Sequence, residues 1–334
     1  MYYKDFLRYR QVWLGFALIW IMLYHSAFDL GPLQILQTTG YAGVDICLFA
    51  SGIGCFYSLS SDSDVVRFMK RRMKRLVPTY LVYITFWLTI QYFMGNREFP
   101  MILGNLFAVQ FFTGRGNHFN WYISTLFLFY ILAPYFKIIA EQASPVRKLL
   151  FLVFLVLLSI SFWEADTYII AATRIPIFYV GMLFANICKN DTPVKKSDVL
   201  GMIVSFILGC CLLIAFFIFI PNRLRSYGLA WYPFILMTPP LCFAISYLSM
   251  LLERTKNPNP IESFLSLCGE YSLELCIIHP PLFSTIHILI SEFNLSGINH
   301  WIWAAGILSL PFGCFVLRRL TALFTRLCRG YKHS

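Results

Sequence analysis

Charge is what this sequence has least of. Asp, Glu, Lys and Arg make up 13% of its 334 residues, about half the roughly 25% of a soluble domain. A chain so poor in charge cannot cover a water-exposed globular surface, so a polytopic membrane protein is implied. The ten cysteines mostly lie inside apolar runs with no paired spacing. They read as small core residues, neither disulfides nor metal ligands, and no His/Cys/carboxylate spacing suits a metal. The first apolar run has no small-residue cleavage site after it. Internal repeats, low-complexity tracts and soluble appendages longer than a loop are also missing, so the expectation is one membrane-embedded domain over 1–334.

Apolar residues are abundant: 58% are hydrophobic and 18% aromatic, with Phe well ahead. The mean hydropathy is +0.67. That composition suits lipid-facing surfaces and interfacial belts. The net charge of +11 would suggest nucleic acid in a soluble protein. Here the positive residues fall between apolar runs, so they report topology and no nucleic-acid partner is expected. The stretch RFMKRRMKR, Arg67 to Arg75, holds six basic residues in nine and no acid. It marks a cytoplasmic loop.

Spans are expected near 11–30, 40–60, 76–94, 120–138, 149–165, 168–187, 199–220, 228–252, 270–291 and 301–320. The run near 101–117 is short and contains Asn105 and Gln110. Treating it as re-entrant or interfacial keeps the basic loops on one side. The expected fold class is therefore all-α and polytopic, with about ten transmembrane helices and both termini cytoplasmic.

Two of the first ionisable groups lie inside apolar runs, where charge is costly and usually functional. His25 is 14 residues past Gln11, roughly 21 Å up a helix. Asp45 is five residues into the descending second span, so the two should meet at similar depth. A carboxylate beside imidazole would fix its tautomer and raise its basicity. Arg174 enters the same layer from the sixth span, and the stretch around Asn120, Trp121 and Tyr122 can join it. Arg10, Leu14, Leu18, Ile21 and His25 share one stripe of the first span. His279, followed by Pro280 and Pro281, is expected in a broken helix lining a cavity.

Plainer roles remain open for each. A histidine on an apolar helix can be a hydrogen-bonded structural residue, and Asp45 can cap a helix. The basic run can serve topology and lipid headgroups alone. Gly43, Ser51, Gly52 and Gly54 suit close helix packing. His287, His300 and His333 receive no functional reading.

Seven stretches in order resemble a known family. They are Gly15-x-Ala17 through Tyr24-His25, Gly43-Val44-Asp45, Phe49-x-Ser51-Gly52, and Phe68-x-x-Arg71-Arg72-x-x-Arg75-Leu76-x-Pro78-x-Tyr80. Trp121-Tyr122-Ile123, Arg174-Ile175-Pro176-x-Phe178-x-x-Gly181 and Tyr271-Ser272-Leu273-Glu274-Leu275-x-Ile277-x-His279 complete the set. Together they resemble the acyltransferase-3 group of integral membrane acyltransferases, many of which O-acetylate bacterial surface carbohydrates. Two departures stand out. Many members carry arginine where this chain has Leu14, with Arg10 one turn earlier as the substitute. Many also continue into an extracellular hydrolase-like domain, so this chain either acts alone or hands its acyl group to a separate extracytoplasmic transferase.

The resemblance implies a bacterial inner-membrane O-acyltransferase with no permanently bound cofactor. Acetyl-CoA, or another acyl-CoA, is the implied donor, and a carbohydrate or lipid-linked glycan the implied acceptor. His25, Asp45 and Arg174 are the implied catalytic group. Arg10, Arg71, Arg72, Lys74 and Arg75 would bind the acyl-CoA. Asn120, Trp121, Tyr122, Glu274 and His279 would line the cavity or hold the acceptor. A succinyl donor or a small-molecule acceptor is the alternative chemistry. A transporter without chemistry is the alternative class, against which stands the lack of a repeat relating the two halves. Loops too short for a readout domain disfavour a sensor or scaffold.

Overall fold

The computed structural model describes residues 2–26, 28, 30–95, 98–113, 121–162, 168–190, 192–220, 228–253 and 259–330. It is all-α. Among the described residues the only β-type pairing is an isolated bridge between Tyr2 and Pro193. Among the described residues nine segments are long and apolar enough to cross a bilayer: Tyr3–His25, Gly31–Ser61, Val65–Phe93, Trp121–Gln142, Ile169–Lys189, Lys196–Phe219, Leu229–Glu253, Ser272–Glu292 and Asn299–Cys328. The protein is a multi-pass membrane protein.

The helices of eight residues or more are numbered in chain order. They begin with α1 (Arg10–His25), α2 (Gly43–Ser61), α3 (Val65–Phe93) and α4 (Phe99–Leu106). Next come α5 (Trp121–Gln142), α6 (Pro145–Ile160), α7 (Ile175–Lys189) and α8 (Lys196–Phe219). The last are α9 (Pro233–Glu253), α10 (Pro260–Glu270), α11 (Ser272–Glu292) and α12 (Asn299–Gly330). The run expected as the span 149–165 corresponds to α6. Its 16 residues reach about 24 Å, and it exposes Leu149, Leu150, Val153, Phe154 and Leu157 as an apolar outer stripe.

Two local expectations need correction. The basic run is helical and opens α3, because Lys and Arg favour helix and Asp64 caps it by accepting the Arg67 N–H at 3.0 Å. The Pro280-Pro281 pair does not break its helix, since α11 is continuous across it. The break falls instead at Tyr271, between α10 and α11. The prolines deprive the carbonyls of Cys276 and Ile277 of their usual helical donors.

Of the run near 101–117, the described residues 101–113 hold no helix long enough to cross, and 114–117 lie outside the described residues. Its helix α4 has eight residues, about 12 Å. Buried Asn105 and Gln110 sit where the segment dips in beside α3 and α5. The Tyr80 hydroxyl donates to the Asn105 carbonyl, and Ser124 Oγ donates to the Ala108 carbonyl at 2.5 Å.

Two backbone-to-backbone seams set the register of the core. In the first, a Cβ on Gly15 would lie 1.8 Å from the Leu265 carbonyl oxygen, and one on Gly269 would lie 1.8 Å from that of Gln11. Each glycine faces the carbonyl four residues before the other, so the backbones of α1 and α10 touch where these two turns cross. In the second, a Cβ on Gly52 would lie 2.2 Å from the Phe178 oxygen, and one on Gly181 2.3 Å from the Phe49 oxygen. This holds α2 parallel to α7. Small residues allow such approach where lipid offers no hydrophobic drive for helices to associate. Phe49, Phe129, Phe136, Phe178 and Phe184 fill the core around the second seam. Trp13 Nε1 donates to Ser246 Oγ at 2.7 Å and ties α1 to α9.

Gly181→Val should separate α2 from α7 and lower stability by about 1–3 kcal/mol in thermal denaturation of the detergent-solubilised protein. Gly201→Val is the control, because nothing lies within 4 Å of its Cβ position. It should leave the midpoint unchanged.

Candidate active site

Helical periodicity divides the basic run between two faces of α3. Arg67 and Arg71 turn outward and share Asp62, at 2.9 and 2.8 Å. Arg71 also donates to the Ser58 carbonyl at 3.0 Å. Hydrogen bonds from Arg71 and Arg67 hold the Asp62 carboxyl well below the usual carboxylate range. Lys74 is exposed on this side. Arg72, one turn beyond buried Phe68, turns inward. It donates to the Gly54 carbonyl and lies 5.4 Å over the Phe68 ring and 5.6 Å over the Tyr130 ring.

Arg72 meets Arg10 there. A Cβ on Gly54 would be 3.6 Å from an Nη of Arg10 and 3.7 Å from both Nη atoms of Arg72. The Nε atoms of both arginines are buried without a hydrogen-bond partner. Arg75 joins them in the wall of a cavity of about 80 Å³ that has no acidic residue in its lining. Like charges this close repel, by roughly 4 kcal/mol per pair at 4 Å in the dielectric of a protein surface. A polyanion relieves that repulsion, and arginine suits phosphate oxygens in geometry as well as charge.

The walls rise from this basic floor as helical stripes. Arg10, Leu14 and Leu18 come from α1, and Tyr130, Leu126 and Tyr122 from α5. Cys47 and Ser51 of α2, with Ser272, Leu273 and Cys276 around the start of α11, close the remaining sides. Each α1 and α5 stripe covers eight residues, about 12 Å. Tyr122, expected to line the cavity or hold the acceptor, stands in the wall of the basic cavity. Trp121 packs against Tyr122 with ring centroids 5.9 Å apart. Asn120 lies outside the described residues.

His25 lies above the cavity, seven residues or about 10 Å past Leu18. It is exposed, whereas its neighbour His279 is 2% exposed. Their ring centroids are 5.4 Å apart. Each lies ten residues beyond a glycine of the first seam, Gly15 or Gly269, with the break at Tyr271 turning the chain in between. His279 is also one turn above Cys276, so the cavity ends just below the two rings.

Asp45 does not meet His25. A Cβ on Gly43 would be 2.4 Å from the Ala17 carbonyl oxygen, which places the start of α2 about 12 Å below His25. The chain between the two spans descends before α2 begins, and the depth expectation missed that drop. Asp45 instead forms an ion pair with Arg174, both side chains 2% exposed. Each lies seven residues before the glycine of the second seam, Gly52 or Gly181. Arg174 also donates to the Tyr41 carbonyl at 3.4 Å, and its guanidinium stacks 4.7 Å from the Trp231 ring centroid.

Glu274 is likewise taken. Arg318 reaches Glu274 at 3.0 Å and Glu270 at 2.7 Å, and lies 3.4 Å over the Tyr271 ring. This clamp joins α12 to the α10–α11 break and leaves Glu274 no contact with the cavity. Tyr130, Cys47 and Cys276 were not singled out in the sequence. The i, i+4, i+8 spacing of Tyr122, Leu126 and Tyr130 was the signal available for the first.

Asp45→Asn leaves Arg174 buried without its counter-charge and should destabilise the protein by about 3–5 kcal/mol, read as loss of the folded fraction in detergent. Asp45→Leu combined with Arg174→Met should recover part of that loss.

Comparison with protein families adds one finding. Residues 14–319 match the acyltransferase-3 family, described as an acyltransferase domain. Comparisons with curated proteins and with solved structures return no significant match. The matched stretch holds the upper part of the α1 stripe, the inward arginines of α3, the Asp45–Arg174 pair and both histidines. The chain belongs to the acyltransferase-3 family and is a membrane acyltransferase.

Proposed function

We propose that this protein moves an acyl group, acetyl in the first instance, from acyl-CoA to a hydroxyl of a carbohydrate or lipid-linked glycan. The observation that carries the reading is the cavity whose floor is Arg10, Arg72 and Arg75, with no acid in its lining, rising toward His25 and His279. The phosphates of CoA sit on the arginines at the basic, cytoplasmic end. The thin pantetheine arm extends along Leu14, Leu18 and Leu126, where the nucleotide is too wide to follow. The thioester then lies under the histidine layer.

His25, open to the opposite side, takes the proton of an acceptor hydroxyl as that oxygen attacks the thioester carbon. The tetrahedral intermediate collapses, the carbon–sulfur bond breaks, and His25 returns the proton to the CoA thiolate. Metal is not called for by this chemistry. An uncharged acyl group fits better than succinyl, because the cations in the cavity lining all lie at its basic floor. Arg174 and Arg318 are already committed to carboxylates.

The division of the basic run makes the test selective. Charged hydrogen bonds contribute about 1.5–3 kcal/mol each, so Arg72→Ala or Arg10→Ala should raise the Kd for CoA about 10–100-fold in calorimetry on nanodisc-embedded protein. Arg71→Ala, which removes an exposed pair with Asp62, should change it less than about fivefold. Equal CoA affinity in all three variants would remove the proposed donor site. Acetyl-CoA consumption by wild type and its loss in His25→Ala test the chemistry separately.

A further inference from the structure

His279 Nε2 is a buried acceptor with nothing to accept. The Nδ1 of this ring lies 2.7 Å from the Leu275 carbonyl one turn earlier. A carbonyl can only accept, so Nδ1 carries the ring proton and Nε2 of the neutral ring is a lone pair. That atom has no hydrogen-bond partner, although buried polar atoms are ordinarily satisfied. On one side the ring meets the apolar Phe283 edge-on, with centroids 5.8 Å apart. On another it meets the His25 ring at 5.4 Å and 50°. Two imidazoles with nitrogens facing each other at roughly 3 Å have centroids about that far apart. His25 is exposed and is the last residue of α1, so rotation of its side chain can present an N–H to His279 without moving the helix.

We propose that His279 is the positioning residue of the reaction: its Nε2 accepts the N–H of His25, holds that ring toward the acceptor, and takes its proton during transfer. The inference rests on the acyl-transfer reading given above. A catalytic imidazole commonly has a carboxylate in this place. Here Asp45 is paired with Arg174, and among the described residues no carboxylate is hydrogen-bonded or ion-paired to either histidine ring. The other titratable groups around the pair are Tyr24, 5.1 Å from the His25 ring, Cys276 one turn below His279, and His287, whose Nε2 meets the His25 carbonyl at 3.3 Å.

The protons balance along this path. One nitrogen of His25 takes the acceptor O–H proton as the oxygen bonds to the thioester carbon. The other nitrogen gives its proton to His279 Nε2, whose charge is shared through Nδ1–H with the Leu275 carbonyl. When the carbon–sulfur bond breaks, both transfers reverse and the thiolate leaves as CoA thiol. A neutral partner adds no net charge to a desolvated layer until the proton arrives.

The test is acetyl-CoA turnover across pH by full-length wild type, His279→Phe, His279→Gln and His25→Ala in nanodiscs, with CoA affinity and melting temperature measured alongside. His279→Phe should lose on the order of 10²-fold in kcat with CoA affinity unchanged. His279→Gln keeps an acceptor oxygen but cannot titrate, so it should recover part of kcat and alter the pH profile. Should His279→Phe fail to fold, the Gln variant decides. Wild-type kcat and pH profile in His279→Gln, or in a folded His279→Phe, overturn the proposal when His25→Ala is inactive. If His25→Ala is also fully active, it is the acyl-transfer reading that falls.

Discussion

Helices packed backbone to backbone on glycine are the constraint on which the rest of this protein depends. Gly15 against Leu265 and Gly269 against Gln11 leave no room for a Cβ, so α1 and the α10–α11 pair have one register available. From it the break at Tyr271 turns the chain into α11, which brings His279 beside His25. The Gly52–Gly181 seam carries Asp45 to Arg174 seven residues back. In lipid, where hydrophobic burial between helices is worth little, close packing of this kind is what specifies neighbours. The chemistry is therefore positioned by residues that have none.

The ionic groups fall into two classes on this scaffold. Arg174 with Asp45, and Arg318 with Glu270 and Glu274, are neutralised pairs that lock helices together. Arg10 and Arg72 converge on Gly54 with buried, unpartnered Nε atoms, and no carboxylate lines their cavity among the described residues. An isolated buried charge is costly, and a fold that keeps two of them beside a third in an acid-free cavity is poised for an anion from outside. The donor end and the histidine end are thus distinguished by what each lacks: a counter-charge below, a hydrogen-bond partner above.

Much of this was legible in the sequence because it followed from periodicity within one helix. The stripe from Arg10 through Leu14, Leu18 and Ile21 to His25 needs only the helical repeat, and Leu14, Leu18 and Ile21 are buried. The shortness of α4 followed from the length of its apolar run and its amides. What failed required knowing where one helix stands against another. Asp45 was counted from an assumed start of its span, and the chain descends about 12 Å first. The Arg71-Arg72 pair reads as one unit in sequence, yet adjacent residues on a helix point about 100° apart, and only Arg72 reaches the cavity. Proline suggested a break at His279, but the helix bends at Tyr271 instead.

The most direct test of the account is a cryo-electron microscopy map of the nanodisc-embedded protein saturated with CoA. The account predicts phosphate density within hydrogen-bonding distance of Arg10, Arg72 and Arg75. It also predicts pantetheine density along Leu14 and Leu126, with the sulfur near Cys276 beneath His25 and His279. CoA bound at any other surface, with this cavity unchanged, would contradict it.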